Sequence, residues 1–501
     1  MPVDPVTLQV LVGGLHSICE EMGATLIRSA HSPNIKERHD CSTALFNSDG
    51  ELVMQAEHIP VHLGSMPAAV EAILGAEAHP GQLWIINDPF RGGTHLPDIT
   101  LISPIFIDRR LLGFAASRAH HADIGGPTPG GMPAFSTTLE EEGIVIPPSL
   151  VGDAELRDLA ERMRNPAQRL ADLRAQRAAN RLGALRLVEL ADRVGAGALE
   201  RGMSEVLDYS ERRTRAALTA VADGSYEATD VLESGEGPAR LLLAARVVGD
   251  ELELDFTGSC EQVRGNLNCP LPVTRSAALF AVRVLLDPDA PPSAGGHRPI
   301  SIRAPQGSIL NANPGAAVAA GNVETSSRVA DLVLDALGQP LAGPAQGQGT
   351  MNNLTLSNSG FTYYETIGGG QGACSDRRGP DGVHVAMSNT LNTPVEALES
   401  EIAVRVRELG LRRGSGGGGE FRGGDGVVRE IEALEPMRFT LITERRRFPP
   451  RGRGGGEDGA VGLNLLNGEP LGAKAEGRLM PGDRLRIETP GGGGYGQARR
   501  T

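Results

Sequence analysis

The sequence predicts an α+β chain of several domains, with largely antiparallel or mixed sheets and a helical insertion around 154–218. Three observations predict it. Helix-period and strand-period segments are mixed without a regular βαβ alternation, which argues against a doubly wound parallel sheet. Between 154 and 218, Arg, Leu, Ala and Glu dominate and Gly is sparse. Elsewhere turn residues abound: Gly 66 and Pro 34 make up about a fifth of 501 residues, well above ordinary usage and a sign of many turns and close backbone approaches. Aromatic residues are only 3%, so the core is built from Leu, Val, Ile and Ala.

The elements follow in order. Apolar residues recur at Leu8, Val10, Leu11, Leu15, Ile18, Met22 and Leu26, a helical period over Val6 to Ala30, with Asp4-Pro5 as its start. Ser42 to Phe46 and Glu51 to Ala56 flank Asn47-Ser48-Asp49-Gly50, a hairpin signal. Gln82 to Asn87 and Ile99 to Ile107 read as buried strands, and Asp108-Arg109-Arg110 turns into a third, Leu111 to Ala119. The helical region breaks near Asn165-Pro166 and between Gly195 and Gly202, and reads as a solvated scaffold or a partner-binding arm. Strand patterns return at Tyr226 to Leu232, Leu241 to Val248 and Glu251 to Phe256, and helix patterns at Thr274 to Leu286 and Ser326 to Leu337. In the glycine-rich last hundred residues, strands are expected at Val427 to Leu434 and Arg438 to Glu444. This gives four regions: 1–150, 151–222, 223–400 and 401–501. No fixed-period repeat supports a solenoid.

Composition excludes several functions. Lys+Arg is 48 against Asp+Glu 62, a net charge of −14. With no long basic run, a sequence-independent nucleic-acid binder is excluded. No stretch reaches the roughly 18 consecutive apolar residues of a membrane span. No basic region precedes the first apolar run, so a cleaved secretory signal is not expected. The five cysteines form no CxxC pair, which argues against a disulfide scaffold or a thiolate zinc site and for a reducing cytoplasm. There is no Walker phosphate loop, dinucleotide fingerprint or G-x-S-x-G elbow.

Chemistry-bearing residues concentrate between Asn34 and Asp123. Seven of the eleven histidines fall there: His39, His58, His62, His79, His95, His120 and His121. His95-x-x-Asp98 is the most informative piece. Pro97 disfavours a helix at Leu96, so the pair sits on an extended turn after Gly92-Gly93. Two such side chains can converge on one ion, and imidazole plus carboxylate suits Zn²⁺, Mn²⁺ or Fe²⁺. The alternative is a set of histidines satisfied by loop hydrogen bonds. His120 and His121 end a strand and point to opposite faces, so at most one joins His95. Asp123 is either a turn-forming aspartate or a residue orienting a histidine. Asp40 is either part of a solvated charge run or a ligand at the start of a strand. The glycine runs near Gly416 and Gly491 are read as close-packed turns rather than anion cradles.

The runs Ser32-Pro33-Asn34-Ile35-Lys36-Glu37-Arg38, His58-Ile59-Pro60-Val61-His62-Leu63-Gly64-Ser65-Met66, Asn87-Asp88-Pro89-Phe90, Gly92-Gly93-Thr94-His95-Leu96-Pro97-Asp98 and His120-His121-Ala122-Asp123-Ile124-Gly125-Gly126 together resemble the hydantoinase B/5-oxoprolinase family. The resemblance continues through Asp172-Leu173, Asp255-Phe256-Thr257-Gly258, Asn322-Val323-Glu324, Asn392-Thr393-Pro394-Val395-Glu396 and Thr489-Pro490-Gly491-Gly492-Gly493-Gly494-Tyr495-Gly496. It spans essentially the whole chain.

The resemblance implies a B-type subunit of an ATP-dependent cyclic amide hydrolase that opens a hydantoin, 5-oxoproline or another lactam. An A-type partner subunit carries ATP and Mg and phosphorylates the ring oxygen, so a hetero-oligomer is expected. The family's metal site falls on Asp40, His95, Asp98 and His120, holding a divalent Zn, Mn or Fe. Glu37 stays an alternative to Asp40, and His121 to His120. Glu37, His39, His121 and Asp123 are the candidates for orienting the ligands or moving protons. Two other expectations stand beside this: a subunit of an ATP-dependent ketone carboxylase, and a non-catalytic scaffold subunit.

Overall fold

The computed structural model describes residues 4–57, 59–62 and 64–498. Four sheets, antiparallel in all but one strand pair, are packed with helices in an α+β arrangement. His58 and Leu63 of the motifs above lie outside the described residues.

Helix α1 (Pro5–Ser29) begins where Asp4 accepts hydrogen bonds from the Val6 and Thr7 backbone N–H groups at 3.1 and 3.0 Å, with Pro5 in the first turn, as N-terminal capping requires. Its stripe from Leu8 to Leu26 is buried. By length and composition α1 could cross a bilayer, yet this stripe lines the core that also holds Ala179, Leu187 and Leu190. The short helix α2 (Pro33–Lys36) follows.

The N-terminal sheet contains β1 (Cys41–Asn47), β2 (Leu52–Glu57), β3 (Trp84–Ile86), β4 (Asp98–Ile107), β5 (Arg110–His120) and β6 (Ser149–Leu150), in the order β2-β1-β5-β4-β3-β6. Alternation sends Ala44 and Phe46 to one core and Leu45 to another, as the two-residue strand period dictates. Helix α3 (Met66–Glu71) supplies Met66, Ala69 and Val70 to the Phe46 side.

The helical region forms α4 (Asp153–Glu161), α5 (Pro166–Val194) and α6 (Ala196–Thr219). The break expected across Gly195 to Gly202 is confined to Gly195 (φ +88°). Gly202 lies inside α6 for a packing reason: a Cβ there would sit 2.3 Å from a Leu11 methyl of α1. The polar residues buried on α5 are explained by the sheet beneath. The Gln176 amide donates to Ile99 O at 2.9 Å and Ser117 O at 3.2 Å, and Asn180 to Leu101 O at 2.9 Å. Helix α5 therefore acts as scaffold for the sheet.

A second sheet, β7 (Gly224–Ser234), β8 (Gly237–Val248), β9 (Glu251–Asp255) and β10 (Ile300–Arg303), has order β10-β9-β8-β7. Its core is shared with α7 (Leu271–Leu286) and α8 (Ser326–Leu341). The strands β11 (Asn353–Ser357), β12 (Thr362–Glu365), β15 (Met437–Ile442) and β18 (Lys474–Leu479) make a third sheet, and β13 (Val404–Arg412), β14 (Gly426–Ala433), β16 (Leu463–Leu466), β17 (Glu469–Leu471) and β19 (Arg484–Glu488) a fourth. Helix α9 (Val395–Glu401) leads into β13. The glycine runs pack backbone on backbone, as expected: a Cβ on Gly492 would fall 2.0 Å from Gln371 O.

Candidate metal centre

The strand register builds the centre. Asp98 opens β4 and stands directly opposite His120, the last residue of β5. Such cross-strand pairs carry their Cβ atoms roughly 5 Å apart. His95 lies on the turn just before Asp98. That turn needs glycine: Gly92 has φ +108°, and a Cβ on Gly93 would fall 2.2 Å from Asn87 O. The Asn87 amide holds the turn from inside, donating to Leu96 O at 2.8 Å and accepting from Ile146 N at 2.6 Å.

The three side chains converge. His95 Nδ1 is 3.0 Å from Asp98 Oδ2, and His120 Nδ1 is 3.3 Å from Asp98 Oδ1. Candidate ligand atoms of His95, Asp98 and His120 all lie within 4.8 Å of one another, and all three residues are buried. Two further groups fix Asp98: the Thr94 hydroxyl donates to Oδ2 at 2.7 Å, and His62 Nε2 lies 3.4 Å from it. Burial pushes the Asp98 carboxyl up, but the imidazoles of His95, His120 and His62 more than offset this and hold it well below the usual carboxylate range. Burial lowers His95 despite the neighbouring Asp98 carboxylate. A neutral imidazole beside an ionised carboxylate is the protonation state a metal ion requires.

Several buried nitrogens here make no well-formed hydrogen bond among the described residues: His62 Nε2, His95 Nδ1 and His120 Nε2. Buried polar atoms are ordinarily satisfied. A divalent cation would satisfy those of His95 and His120, so these residues fit the group.

Asp40 is buried at the entrance to β1, and its backbone carbonyl accepts the His120 N–H at 3.1 Å. Its carboxylate is outside the three-residue group, though its charge reaches His95. Glu37 is half-buried on the turn after α2. His39 takes a left-handed backbone (φ +58°) that redirects the chain into β1. His121 points to the opposite face from His120, with Nε2 2.9 Å from Gln176 Oε1 of α5. Burial pushes its imidazole down to about 4. Asp123 is fully engaged in a loop: it accepts from Gly125 N, Gly130 N, Arg164 N and Arg164 Nη1 at 2.9 to 3.0 Å. That is the turn-forming alternative. The structure thus brings His95, Asp98 and His120 together and leaves Glu37, His39, His121 and Asp123 outside the group.

Sequence reasoning assigned no role to four neighbours. His62 and Asn322 lie within quoted motifs, which was a usable signal. Asn322 Nδ2 is 3.5 Å from His95 Nε2, on a π-helical turn (Gly321–Thr325), a geometry frequent at functional sites. Thr94 was visible only as a neighbour of His95. Tyr364, whose ring stacks on His120 at 4.6 Å, gave no signal, because 244 positions of sequence separate the two.

The chain is 39% identical to a 5-oxoprolinase of Dictyostelium discoideum, over 99% of its own length and 40% of that protein. It is 30% identical to a protein of Pseudomonas sp. (strain NS671) proposed as the B-type D-/L-hydantoinase component, over 99% and 90%. The chain therefore spans about two fifths of the 5-oxoprolinase and nearly all of the Pseudomonas protein. The crystal structure of ATP-dependent caprolactamase from Pseudomonas jessenii superposes with a TM-score of 0.92 at 29% identity, covering 99% of this chain and 91% of that one. Acetone carboxylase in its nucleotide-free form shares the fold, with a TM-score of 0.89 at 18% identity over 98% and 76%. The Hydantoinase B/oxoprolinase family model matches residues 4–498, and the chain belongs to that family.

Proposed function

We propose that this chain is the B-type component of an ATP-dependent hydrolase that opens a cyclic amide, a lactam or hydantoin. The observation that carries this reading is the buried His95, Asp98 and His120 group, set in a chain whose whole length superposes on an ATP-dependent caprolactamase. The greater identity to the lactamase than to the carboxylase favours ring hydrolysis over carboxylation. An A-type partner binds ATP and Mg and supplies the phosphorylated ring, which accords with the absence of a Walker loop here. The pair forms a hetero-oligomer, and five cysteines joined by no disulfide among the described residues accord with a cytoplasmic setting.

In this reading His95, Asp98 and His120, with Asp40 beside them, hold one Zn, Mn or Fe. Such an ion, when bound, polarises a carbonyl and acidifies a water. The chain's own residues do the rest. Thr94 and His62 fix the Asp98 carboxylate, and Tyr364 fixes the plane of His120. Asn322 offers an amide beside His95. Gln176 holds His121 on the far face, and Asp123 ties the following loop to Arg164.

The test is reconstitution with an A-type partner. Ring opening coupled to ATP hydrolysis is expected for the wild type, with about one Zn, Mn or Fe per chain. His95→Ala/Asp98→Ala should lose both the metal and the ring opening. Unchanged hydrolysis by that double variant overturns the reading in favour of a scaffold, and substrate-dependent fixation of labelled bicarbonate overturns it in favour of a carboxylase.

A further inference from the structure

Arg38 is wholly buried, and among the described residues no carboxylate pairs directly with its guanidinium. Only Nη2 is engaged: it donates to Thr366 Oγ1 and Thr390 Oγ1, both at 2.8 Å, and to Thr366 O at 3.2 Å. Nε and Nη1, carrying three N–H groups, have no partner among the described residues. Other buried arginines differ. Arg328, Arg445, Arg429 and Arg169 each face a carboxylate. Arg118 lacks one, but all three of its nitrogens are satisfied by Thr100, Ser65 and Gly92. A buried guanidinium with neither counter-charge nor full hydrogen bonding is costly.

The side chains that Arg38 touches carry no charge. Thr366 Oγ1 and Thr390 Oγ1 are 2.7 Å apart, and Thr390 Oγ1 is 3.3 Å from His384 Nε2. Both hydroxyl oxygens accept from Arg38, and His384 Nδ1 lies 2.9 Å from Ser388 Oγ. Burial and the Arg38 charge both push the His384 imidazole down to about 3. The imidazole is therefore neutral, and none of these groups carries a charge.

The surroundings point to a ligand. Thr390 and His384 line a cavity of about 480 Å³, together with Glu365, Arg429 and Asn392. The metal centre is near along the chain. Thr366, which Arg38 grips, directly follows β12 and stands two residues after Tyr364, whose ring stacks on His120. Arg38 itself is two residues before Asp40.

We propose that Arg38, one hydroxyl layer behind the cavity wall, receives the oxyanion of the ring substrate, a carboxylate or a phosphate, and so orients its carbonyl toward the His95, Asp98 and His120 group. The identity of the substrate, though not the presence of the anion site, rests on the function proposed above. An anion there neutralises Arg38 through charge-assisted hydrogen bonds. Thr390 rotates to admit it.

The experiment uses the full chain, at matched ionic strength, with three probes: L-5-oxoproline, the uncharged lactam 2-pyrrolidone, and inorganic phosphate. Calorimetric titration and the thermal midpoint are followed for wild type and Arg38→Gln. Binding of 5-oxoproline alone assigns the site to the substrate carboxylate, and binding of phosphate to a phosphoryl group. In either case Arg38→Gln should weaken binding by about tenfold or more while metal content is unchanged. Binding of neither anion by the wild type overturns the proposal, as does undiminished binding by Arg38→Gln. The contrast between charged and uncharged lactam is read on the wild type, so it holds even where the variant fails to fold. The reconstituted ring-opening assay is separate: its failure with anion binding intact removes the hydrolase reading and leaves the anion site.

Discussion

Tyr364 and His120 lie ring on ring, with centroids 4.6 Å apart and planes 15° from parallel. The contact joins β12 to the end of β5, and so the third sheet to the first. The Tyr364 hydroxyl donates to Asn353 Oδ1 at 2.7 Å, and the Asn353 amide donates to Glu324 Oε1 at 2.8 Å. Tyr364→Phe keeps the stack and leaves Asn353 Oδ1 unpaired, for an expected loss of about 1 kcal/mol. Tyr364→Ala removes the stack as well and should cost about 3–5 kcal/mol. Urea unfolding measures both. Elemental analysis should show full metal in the phenylalanine variant and weakened retention in the alanine variant.

The two histidines that end β5 should separate cleanly. His120→Ala is expected to abolish metal binding. His121→Ala should retain the metal and lose about 1–3 kcal/mol of stability, because Gln176 Oε1 is left buried without its donor. Metal content beside unfolding free energy distinguishes the pair. Metal lost only from the His121 variant would exchange their roles.

Stability should fall in mild acid through His297. Burial, with Arg283 nearby, pushes its imidazole down to about 4 from 6.5. Between those values the unfolded chain takes up a proton that the folded chain refuses. The stabilisation is therefore complete above about pH 6.5 and lost as pH falls toward 4. At ~1.4 kcal/mol per pH unit it amounts to at most about 3 kcal/mol, less for the partial exposure of His297. His297→Gln should flatten this segment of the stability-against-pH curve.

The interface between the second and third sheets is held by charge. Asp230 faces Arg328 at 3.2 Å and Arg445 at 3.3 Å, and Arg445 also meets Asp331 at 2.8 Å, with all four residues buried. The arginines more than offset burial and hold the Asp230 carboxyl far below its ordinary range. Asp230→Asn strands positive charge in the interior and should cost about 3–5 kcal/mol in urea unfolding. Asp376→Asn, in an exposed pair with Arg377, should change stability by less than about 0.5 kcal/mol.

Two glycines test steric against torsional demand. A Cβ on Gly492 would fall 2.0 Å from Gln371 O, whereas Gly482 (φ +94°) has open space around it. Gly492→Ala should cost about 3 kcal/mol through overpacking. Gly482→Ala should cost about 1 kcal/mol through backbone strain alone. Thermal midpoints of the two variants give the order.

Local chemistry settled much of this protein before any contact was known. The Asp4-Pro5 start, the β1–β2 hairpin, the three strands ending at His120 and the helical region are all written in nearest-neighbour periodicity and turn residues. The same is true of His95-x-x-Asp98, whose geometry is confined to one turn, and of the opposed faces of His120 and His121, which follow from the strand period. The motifs identified the family over the whole chain. Tertiary structure decided the rest. It placed His120 rather than His121 beside Asp98 through the β4–β5 register, and turned Gly202 from a helix break into a packing notch for Leu11. It directed Asp123 to Arg164, and brought Tyr364 onto His120 and the 384–390 loop onto Arg38. These contacts join residues tens to hundreds of positions apart. Their partners are selected by sheet register and interior packing, which short-range spacing does not encode.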